Sequence, residues 1–556
     1  MKEHFKIIRQ NFINAIKWYM GYMLHDENNI NYAPYFEWQN MIEASGYSAG
    51  IFFPIIAYYL DGSGYYHDTK MIELARGSLR EYMKCVHEDG SVDFPATNFH
   101  DPAQTAFNVF EIFSNVELVE KLSTGTKEEE ALLSEIRAYL RMAGNAMVNL
   151  GFHTPNHRWA ICASLAIVYN QLHDEIYLDT LKKFLAEGVD CDEHGEYTER
   201  SSGHYNNTCN IAFLELYHQL GDTSFLEYPR RNLYLMRSFV EPDGTMNSLN
   251  STRWDSKLTK NYDEYYAIYY AMALLTKNEE FAYIADSFIS EYKNVPPIII
   301  DRHLIRWFLL DPSLLETERT LGTKKPTAPR SVYLPDSHIV RMYNDREDMT
   351  VTVYRGYKPN CVKIQHRSHV IYVRFAGAFF GDPHSQFRPT VLEPIEDGFR
   401  LYGEQHQGYR SLFDTPPETS VWMEMDQSKR RWINIQDFNV EMLIRFKNDE
   451  VTLTVNASGC KGIPTKFELS FDPGCKLEAD GLTTFMRAGD YLFPKGNIVC
   501  SYQDHTAYEI SGCYANHYYA SDMRGAVPPD ASRATISMTS FTPHGNTVKI
   551  KATRKN

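Results

Sequence analysis

The chain has no surplus of positive charge, no paired cysteines and no apolar run long enough to span a bilayer. Each absence removes a class of function. Its 56 Lys and Arg against 71 Asp and Glu leave a formal charge of −15, whereas a protein that holds nucleic acid needs a basic field. The same balance disfavours threading a long polyanion through an open groove, but a short acidic ligand held by a few local arginines remains compatible with it. The nine cysteines (Cys85, Cys162, Cys191, Cys209, Cys361, Cys460, Cys475, Cys500 and Cys513) are scattered, with no C-x-x-C. That spacing supports neither a disulfide framework nor a thiolate zinc site, and they read as small buried apolar groups. No hydrophobic stretch reaches the ~20 residues of a membrane-spanning helix, so no membrane insertion is expected. There is no low-complexity tract and no P-loop. Met1 to Gln10 lack the continuous apolar segment of a secretory leader. The compartment stays open between a cytoplasmic protein and an exported one whose leader was removed, and the oligomeric state is equally open.

What is present is a globular composition, 43% hydrophobic and 23% charged, in a chain of 556 residues. That is too long for one ordinary core, so two domains are expected. Aromatic residues make up 14%, including 38 Tyr. Such rings either fill cores or stack on sugar faces.

Up to about residue 315 the pattern is helix after helix. Ile8, Phe12, Ala15, Ile16 and Tyr19 form the stripe of a helix over Phe5–Met23, and Trp38–Tyr59 gives another. Further helices are predicted at 67–85, 102–122, 127–149, 155–172, 175–187, 205–221, 225–238, 261–275, 278–292 and 301–310. The more decorated starts, near Asn40, Asp101, Asn156, Tyr205 and Tyr262, recur at roughly fifty-residue spacing, the signature of helical hairpins in an (α/α) toroid. After Thr323-Lys-Lys-Pro-Thr-Ala-Pro-Arg330, read as a linker, short alternating runs appear at 350–354, 369–374, 451–455, 466–470, 533–537 and 547–551. Separated by Gly, Pro, Asp and Asn, they predict an antiparallel β-sandwich. The expected division is a toroid over 1–320 and a sandwich over 321–556.

Two segments carry most of the chemistry. In Thr154-Pro-Asn-His-Arg-Trp159, Thr154 is placed as N-cap and Pro155 at the first helical position. Asn156, His157 and Arg158 then lie in a first turn whose free N–H groups favour an anion, with Trp159 following. The second segment is Glu196-Tyr-Thr-Glu-Arg-Ser-Ser-Gly-His-Tyr-Asn-Asn207. There Gly203 frees the backbone before His204, Tyr205 and Asn206 open another helix. One helix intervenes, so both starts point the same way. Capped helices with a core histidine and a packed tyrosine are the plain alternative. As chemistry, an amide, two imidazoles, a phenol and guanidinium groups suit removal of the weakly acidic C5 proton of a uronic acid. Donors stabilise the developing aci-carboxylate, and Tyr or neutral His moves the protons. The division of base and acid among Tyr205, His157 and His204 stays open. By position, His100 with Asp101, Arg200, Arg253 and Trp254 join the candidates for sugar or carboxylate contact, as does the edge Phe36-Glu37-Trp38.

Asp192-Glu-His-Gly-Glu-Tyr-Thr-Glu-Arg-Ser-Ser-Gly-His-Tyr205 resembles the acidic-Gly, Glu-x-Ser, Tyr segment of heparinase II/III-like polysaccharide lyases. Tyr333-Leu-Pro-Asp-Ser-His-Ile-Val-Arg341 resembles that family's first sandwich strand after the linker. The resemblance implies a toroid-plus-sandwich lyase in which Tyr205 is the catalytic acid/base and Asn156 neutralises the carboxylate. The family's sandwich usually carries a His-x-His-x-Asp element. Here Ala376-Gly-Ala-Phe-Phe-Gly-Asp-Pro-His-Ser-Gln-Phe387 retains only His384 of it. His366 and His369, three apart on one expected strand, would face opposite ways and chelate poorly. No cofactor is required by this reading, and a structural metal in the sandwich is left as an alternative. Within the fold group, lyases that remove terminal L-rhamnose from α-1,4-linked D-glucuronate are similar in length and in their Asn-His-Arg-Trp helix start. An exo-enzyme of that kind, with a uronate-containing glycan as partner, also suits the acidic charge. The rivals are a toroid glycoside hydrolase using two of Asp101, Glu199, Asp243 and Asp255, and a non-catalytic glycan-binding protein.

Overall fold

The computed structural model describes residues 1–23, 43–289, 299–327, 331–356, 359–381 and 384–554. They form two compact units, one of Met1–Arg237 with Met246–Thr327 and one of Ser238–Thr245 with Ala328–Asn556. The change of unit at Thr327 falls inside the Lys/Pro/Thr stretch, whose last three residues lie outside the described set. So do Asn40 and the Phe36-Glu37-Trp38 edge.

The first unit is helical: α1 (His4–Met23), α2 (Ser48–Tyr59), α3 (Thr69–Met83), α4 (Pro102–Glu111), α5 (Val116–Lys121), α6 (Lys127–Asn149), α7 (Pro155–Leu172), α8 (Glu175–Ala186), α9 (Tyr205–Leu220), α10 (Glu227–Arg237), α11 (Tyr266–Thr276), α12 (Glu279–Phe288), α13 (Ile299–Leu310) and α14 (Ser313–Thr320). α14 has no counterpart in the sequence reading, nor does the small hairpin of Val92–Phe94 with Asn98–Asp101. The expected 102–122 helix is broken by a 3-10 turn at Phe113–Asn115. Helix starts follow local chemistry. Thr126 and Glu129 form a reciprocal capping box on α6, and Asp101 and Asn278 cap α4 and α12 with their side chains.

α4, α7, α9, α11 and α13 each pack on the next, and α13 returns to α4, closing a ring. α3, α6, α8 and α12 pack outside. Burial agrees with these places. α7 is buried continuously from Trp159 to Val168, as an inner helix must be, whereas α8 buries little more than Tyr177, Thr180 and Leu181. With one outer helix between neighbours, the inner helices run parallel and bring the starts of α4, α7 and α9 to one rim. This is the expected toroid-type helical unit.

The second unit holds a nine-stranded and an eight-stranded sheet that share one apolar core, with Leu401, Phe438, Met442 and Leu453 facing Val351, Ile364, Phe375 and Leu469. Among the described strands pairing is antiparallel except where Tyr491–Leu492 runs parallel to Ala534–Phe541, and an isolated bridge of Ala515 with Thr539 is also parallel. Glu450–Gly459 alternates cleanly, with Val451, Leu453, Val455 and Ala457 inward. Met349–Tyr354 is buried on both faces, because Ser238–Thr245 covers its outer side. Glu241 there meets Arg341 at 3.0 Å, Lys363 at 2.8 Å and the Thr350 hydroxyl at 2.7 Å. Burial alone would raise the Glu241 carboxyl, but Arg341 and Lys363 outweigh it and hold it well below its usual range.

Two details differ from the sequence reading. Tyr333–Arg341 is not one strand but a hairpin of Ser331–Leu334 with Ile339–Tyr343. His366 and His369 do not share a strand; they flank a two-residue turn and stand directly opposite each other, so cross-strand pairing puts them on one face. Their partners diverge, His369 stacking on Tyr502 at 3.6 Å while His366 is buried against Tyr508. Among the described residues no group of three His, Cys, Asp or Glu side chains is placed to hold a metal ion, and no helix is long and apolar enough to cross a membrane.

Candidate active site

The three inner-helix starts are tied together by polar side chains. At α4, the Asp101 carboxylate accepts from the N–H groups of Ala103 and Gln104 at 2.8 and 3.2 Å. Asn98 Nδ2 lies 3.2 Å from Asp101 Oδ2 and 3.2 Å from His153 Nε2, linking this start to that of α7. Thr154 occupies the α7 N-cap with Pro155 next, but its hydroxyl makes no cap bond. The Thr154 carbonyl takes the His157 N–H instead, and the hydroxyl turns to His153 Nδ1 at 3.0 Å.

His157 stands edge-on to Phe107 and His153, with its Nδ1 buried and without a hydrogen bond. Burial, opposed by Asp101 and helped by Arg253, pushes its pKa down to about 4. The imidazole is therefore neutral at neutral pH and able to accept a proton.

Asn156 is fully buried. Its amide nitrogen donates to Glu199 Oε2 at 2.7 Å, and its carbonyl oxygen has no partner. Glu199 in turn faces Arg253, whose Nε lies 3.2 Å from Oε1, although the N–H is not aimed along that line. Burial raises the Glu199 carboxyl above its usual range, against the pull of Asn156 and Arg253. The Arg253 guanidinium, about a third exposed, lies over the Tyr205 ring at 5.0 Å. Trp254 donates its indole N–H to the Tyr205 hydroxyl at 3.1 Å, and His204 packs against both rings at 4.7 and 5.1 Å. Burial lowers the His204 pKa, Lys260 adding to the shift and Asp255 opposing it.

The loop carrying Arg253 and Trp254 is fastened to the start of α9 by Asp255. This wholly buried carboxylate accepts from the Gly203 N–H at 3.0 Å and the Ser251 hydroxyl at 2.5 Å. A Cβ on Gly203 would come 3.0 Å from Asp255 Oδ2, so the glycine serves close approach here. Thr252 bonds the Glu199 carbonyl through both its N–H and its hydroxyl, and the Tyr205 N–H finds Ser201 Oγ at 3.0 Å.

Tyr205, His204, Asn156, Arg253 and Trp254 thus form one group, with Glu199 at its pivot and His157 beside it, near enough to Arg253 to feel its charge. Other sequence candidates are directed elsewhere. Arg158 stacks on Trp159 at 4.4 Å and donates to the Phe184 and Gly188 carbonyls. Trp159 is buried and donates to Asp190 at 2.6 Å. Asn206 is turned inward to Met236 Sδ. His100 bonds Asp89 at 2.7 Å and stacks on His87. For Arg200 the backbone alone is placed, in a turn with φ of 54° and its N–H on the Tyr197 carbonyl. His153 escaped the sequence reading; its place four residues before His157, across a helix start, was the available signal. Buried polar atoms without partners gather here: Asn156 Oδ1, His157 Nδ1 and Asn207 Oδ1. Such orphans concentrate where a ligand or water completes the bonding.

No protein-family model matches the sequence, and no curated protein sequence matches it. By structure the chain is similar to the Paenibacillus xanthan lyase, with a TM-score of 0.52 and 10% identity, covering 100% of this chain and 58% of that one. It is also similar to a mutant of the Streptomyces coelicolor A3 chondroitin AC lyase, with a TM-score of 0.53 and 9% identity over 99% and 83% of the two chains. The chain therefore spans less than two thirds of the length of the xanthan lyase. At this identity the likeness is one of fold: a helical unit followed by an antiparallel β-sandwich, as in these polysaccharide lyases.

Proposed function

We propose that the protein is a polysaccharide lyase that cleaves a 4-linked uronic acid glycoside by β-elimination. The observation that carries this reading is Tyr205, whose hydroxyl accepts from Trp254 beneath the Arg253 guanidinium, grouped with the neutral-held His157. Arg253 meets the uronate carboxylate and stabilises the charge that develops on it. His157 takes the C5 proton. As the C4–C5 double bond forms and the C4–O4 bond breaks, the Tyr205 O–H protonates the glycosidic oxygen, which leaves as the O1 hydroxyl of the departing sugar. Proton return from His157 to Tyr205 through solvent resets the site. Each positioned acid or base contributes about 10²–10⁴-fold. Asn156, closed off from solvent, acts on this chemistry through Glu199 and so through the aim of Arg253. The half-exposed Trp254 offers a ring face to a sugar.

The finer reading is an exo-acting L-rhamnose-α-1,4-D-glucuronate lyase, favoured by the formal charge of −15, which suits one terminal uronate better than a polyanion. The hydrolase alternative loses ground because its carboxylates are engaged. Asp101 caps α4, Asp255 is buried under two donors, Asp243 accepts from Thr245 and Glu199 lies between Asn156 and Arg253.

The test is ultraviolet absorbance during action on rhamnose-capped glucuronate glycans, with free rhamnose assayed in parallel. Absorbance with rhamnose supports the whole reading. Absorbance without rhamnose keeps the elimination and rejects the cap specificity, and rhamnose without absorbance means hydrolysis.

A further inference from the structure

Strands Gly398–Arg410 and Trp432–Lys447 pair along their length and continue beyond the sandwich core as a two-stranded arm. Inside the sandwich they alternate normally, Leu401 and Met442 facing the core. Past Gly408 and Phe438 the pattern stops, and every residue from 431 to 437 is exposed. The register slips between Ile433 and Gln436, and Asn434 takes a φ of 52°; a bulge of this kind re-aims a ribbon. The arm and its tip then present Tyr409, Leu412, Val421, Trp422, Met423, Trp432, Ile433 and Ile435 to solvent, with Leu412 at 85%, Met423 at 83% and Trp422 at 68% exposure.

Nothing in the proposed lyase chemistry uses these side chains. Taking roughly 150–250 Å² for a large side chain, the eight, three of them aromatic and all exposed by between 40% and 85%, together leave on the order of 1,000 Å² in water. A typical monomer tolerates a largest patch of roughly 300–600 Å², and a stable protein–protein interface covers about 800 Å² on each partner. The arm's total, spread over both faces of the ribbon, is of the size that the second figure requires.

Charge selects among partners. Between residues 409 and 435 four basic side chains (Arg410, Lys429, Arg430 and Arg431) face four acidic ones (Asp414, Glu418, Glu424 and Asp426), in a chain whose overall charge is −15. A net-neutral arm has none of the basic excess that an anionic membrane or a nucleic acid demands. It is instead a surface through which two strongly acidic copies can meet without mutual repulsion. Mixed signs are also self-complementary when a two-fold axis sets the same patch against itself. Apolar residues at consecutive positions, Trp432 and Ile433, point to opposite faces of the ribbon, so a partner that clasps the arm covers more of it than a flat surface does.

We propose that this arm is the dimerisation element of the protein, its apolar tip packing on a second copy of the chain. The test is the solution mass of the intact chain by sedimentation or light scattering across the micromolar range, where an interface of this size associates. It is set beside the variant Leu412→Ser, Trp422→Ser, Met423→Ser. Circular dichroism and thermal unfolding establish that the variant stays folded, as expected for exposed positions. Twice the chain mass for the native protein, falling to the single mass in the folded variant, bears the proposal out. A native chain that is monomeric throughout, or a dimer untouched by the triple substitution, overturns it. So does a monomer that sediments with zwitterionic lipid vesicles through Trp422, which would assign the arm to a membrane surface. None of these readouts depends on the lyase reading.

Discussion

Trp254 and Tyr205, 49 positions apart in the chain, are joined by a 3.1 Å bond from the indole N–H to the phenol oxygen. Because that oxygen accepts, its own O–H is left to give. Tyr205→Phe removes only this hydroxyl, at a half-buried position, so the fold should survive. Turnover should fall by at least the roughly 10²–10⁴-fold that a positioned acid contributes. Full alkene formation in the folded variant would take Tyr205 out of the mechanism.

Asn156→Ala withdraws the donor that reaches Glu199 at 2.7 Å. A buried acceptor that loses its partner costs about 1–3 kcal/mol, and Arg253 loses the geometry that Glu199 gives it. kcat/KM should drop by about one to two decades, while Asn156→Ser, which keeps a donor, should recover part of it. Equal loss in both variants argues that Asn156 acts by bulk alone.

His157 is held down to about 4 by burial, with Arg253 adding to it, from an ordinary value near 6.5. Below pH 6.5 the unfolded chain takes up a proton that the folded chain refuses. Stability therefore falls as pH drops through the window from 6.5 to about 4. His157→Gln should lose less stability than the native protein across that window, as read by denaturant midpoints at each pH. If His157 is the base, kcat/KM should show no apparent pKa near 6.5 from this group.

Asp255→Asn keeps shape but offers one acceptor where the Gly203 N–H and Ser251 hydroxyl need two. The loop bearing Arg253 and Trp254 should loosen from α9. Trp254→Phe should then cost less in the Asp255→Asn background than in the native chain, since both act through one contact. Strict additivity of the two effects on kcat would separate Asp255 from the site.

In the sandwich, Glu241→Ala leaves Arg341, fully buried, and Lys363 without their carboxylate. Breaking such a pair costs about 3–5 kcal/mol. Thermal unfolding should record a marked fall in the transition of that unit, and an unchanged transition would mean that water replaces the carboxylate.

Much of the architecture follows from the order of residues. The starts of α7 and α9 are signalled by Pro155 and by Gly203 before His204. The alternation of Val451, Leu453 and Val455 marks a half-buried strand. These signals are local: a cap, a restricted φ or a periodicity acts within one turn or one pleat, so it can be read without knowing what lies across the fold. The outer part of the strand Trp432–Lys447 carries no inward pattern, while the alternation of Phe438, Val440, Met442 and Ile444 was legible and escaped the sequence reading. His366 and His369 were misassigned to one strand because a two-residue turn between them leaves no Gly or Asn-Gly signature.

What the sequence by itself determined is that helices come first and strands second, and that an amide, imidazoles and a phenol lie at helix starts sharing a rim. Only the tertiary structure decided which of those side chains meet. Arg158 and Asn206 carry suitable groups but are drawn to the Phe184 carbonyl and to Met236, whereas Glu199, Arg253 and Trp254 converge on Asn156 and Tyr205. A side chain's direction depends on which distant donors and acceptors compete for it, and those competitors become neighbours only once the ring of helices has closed.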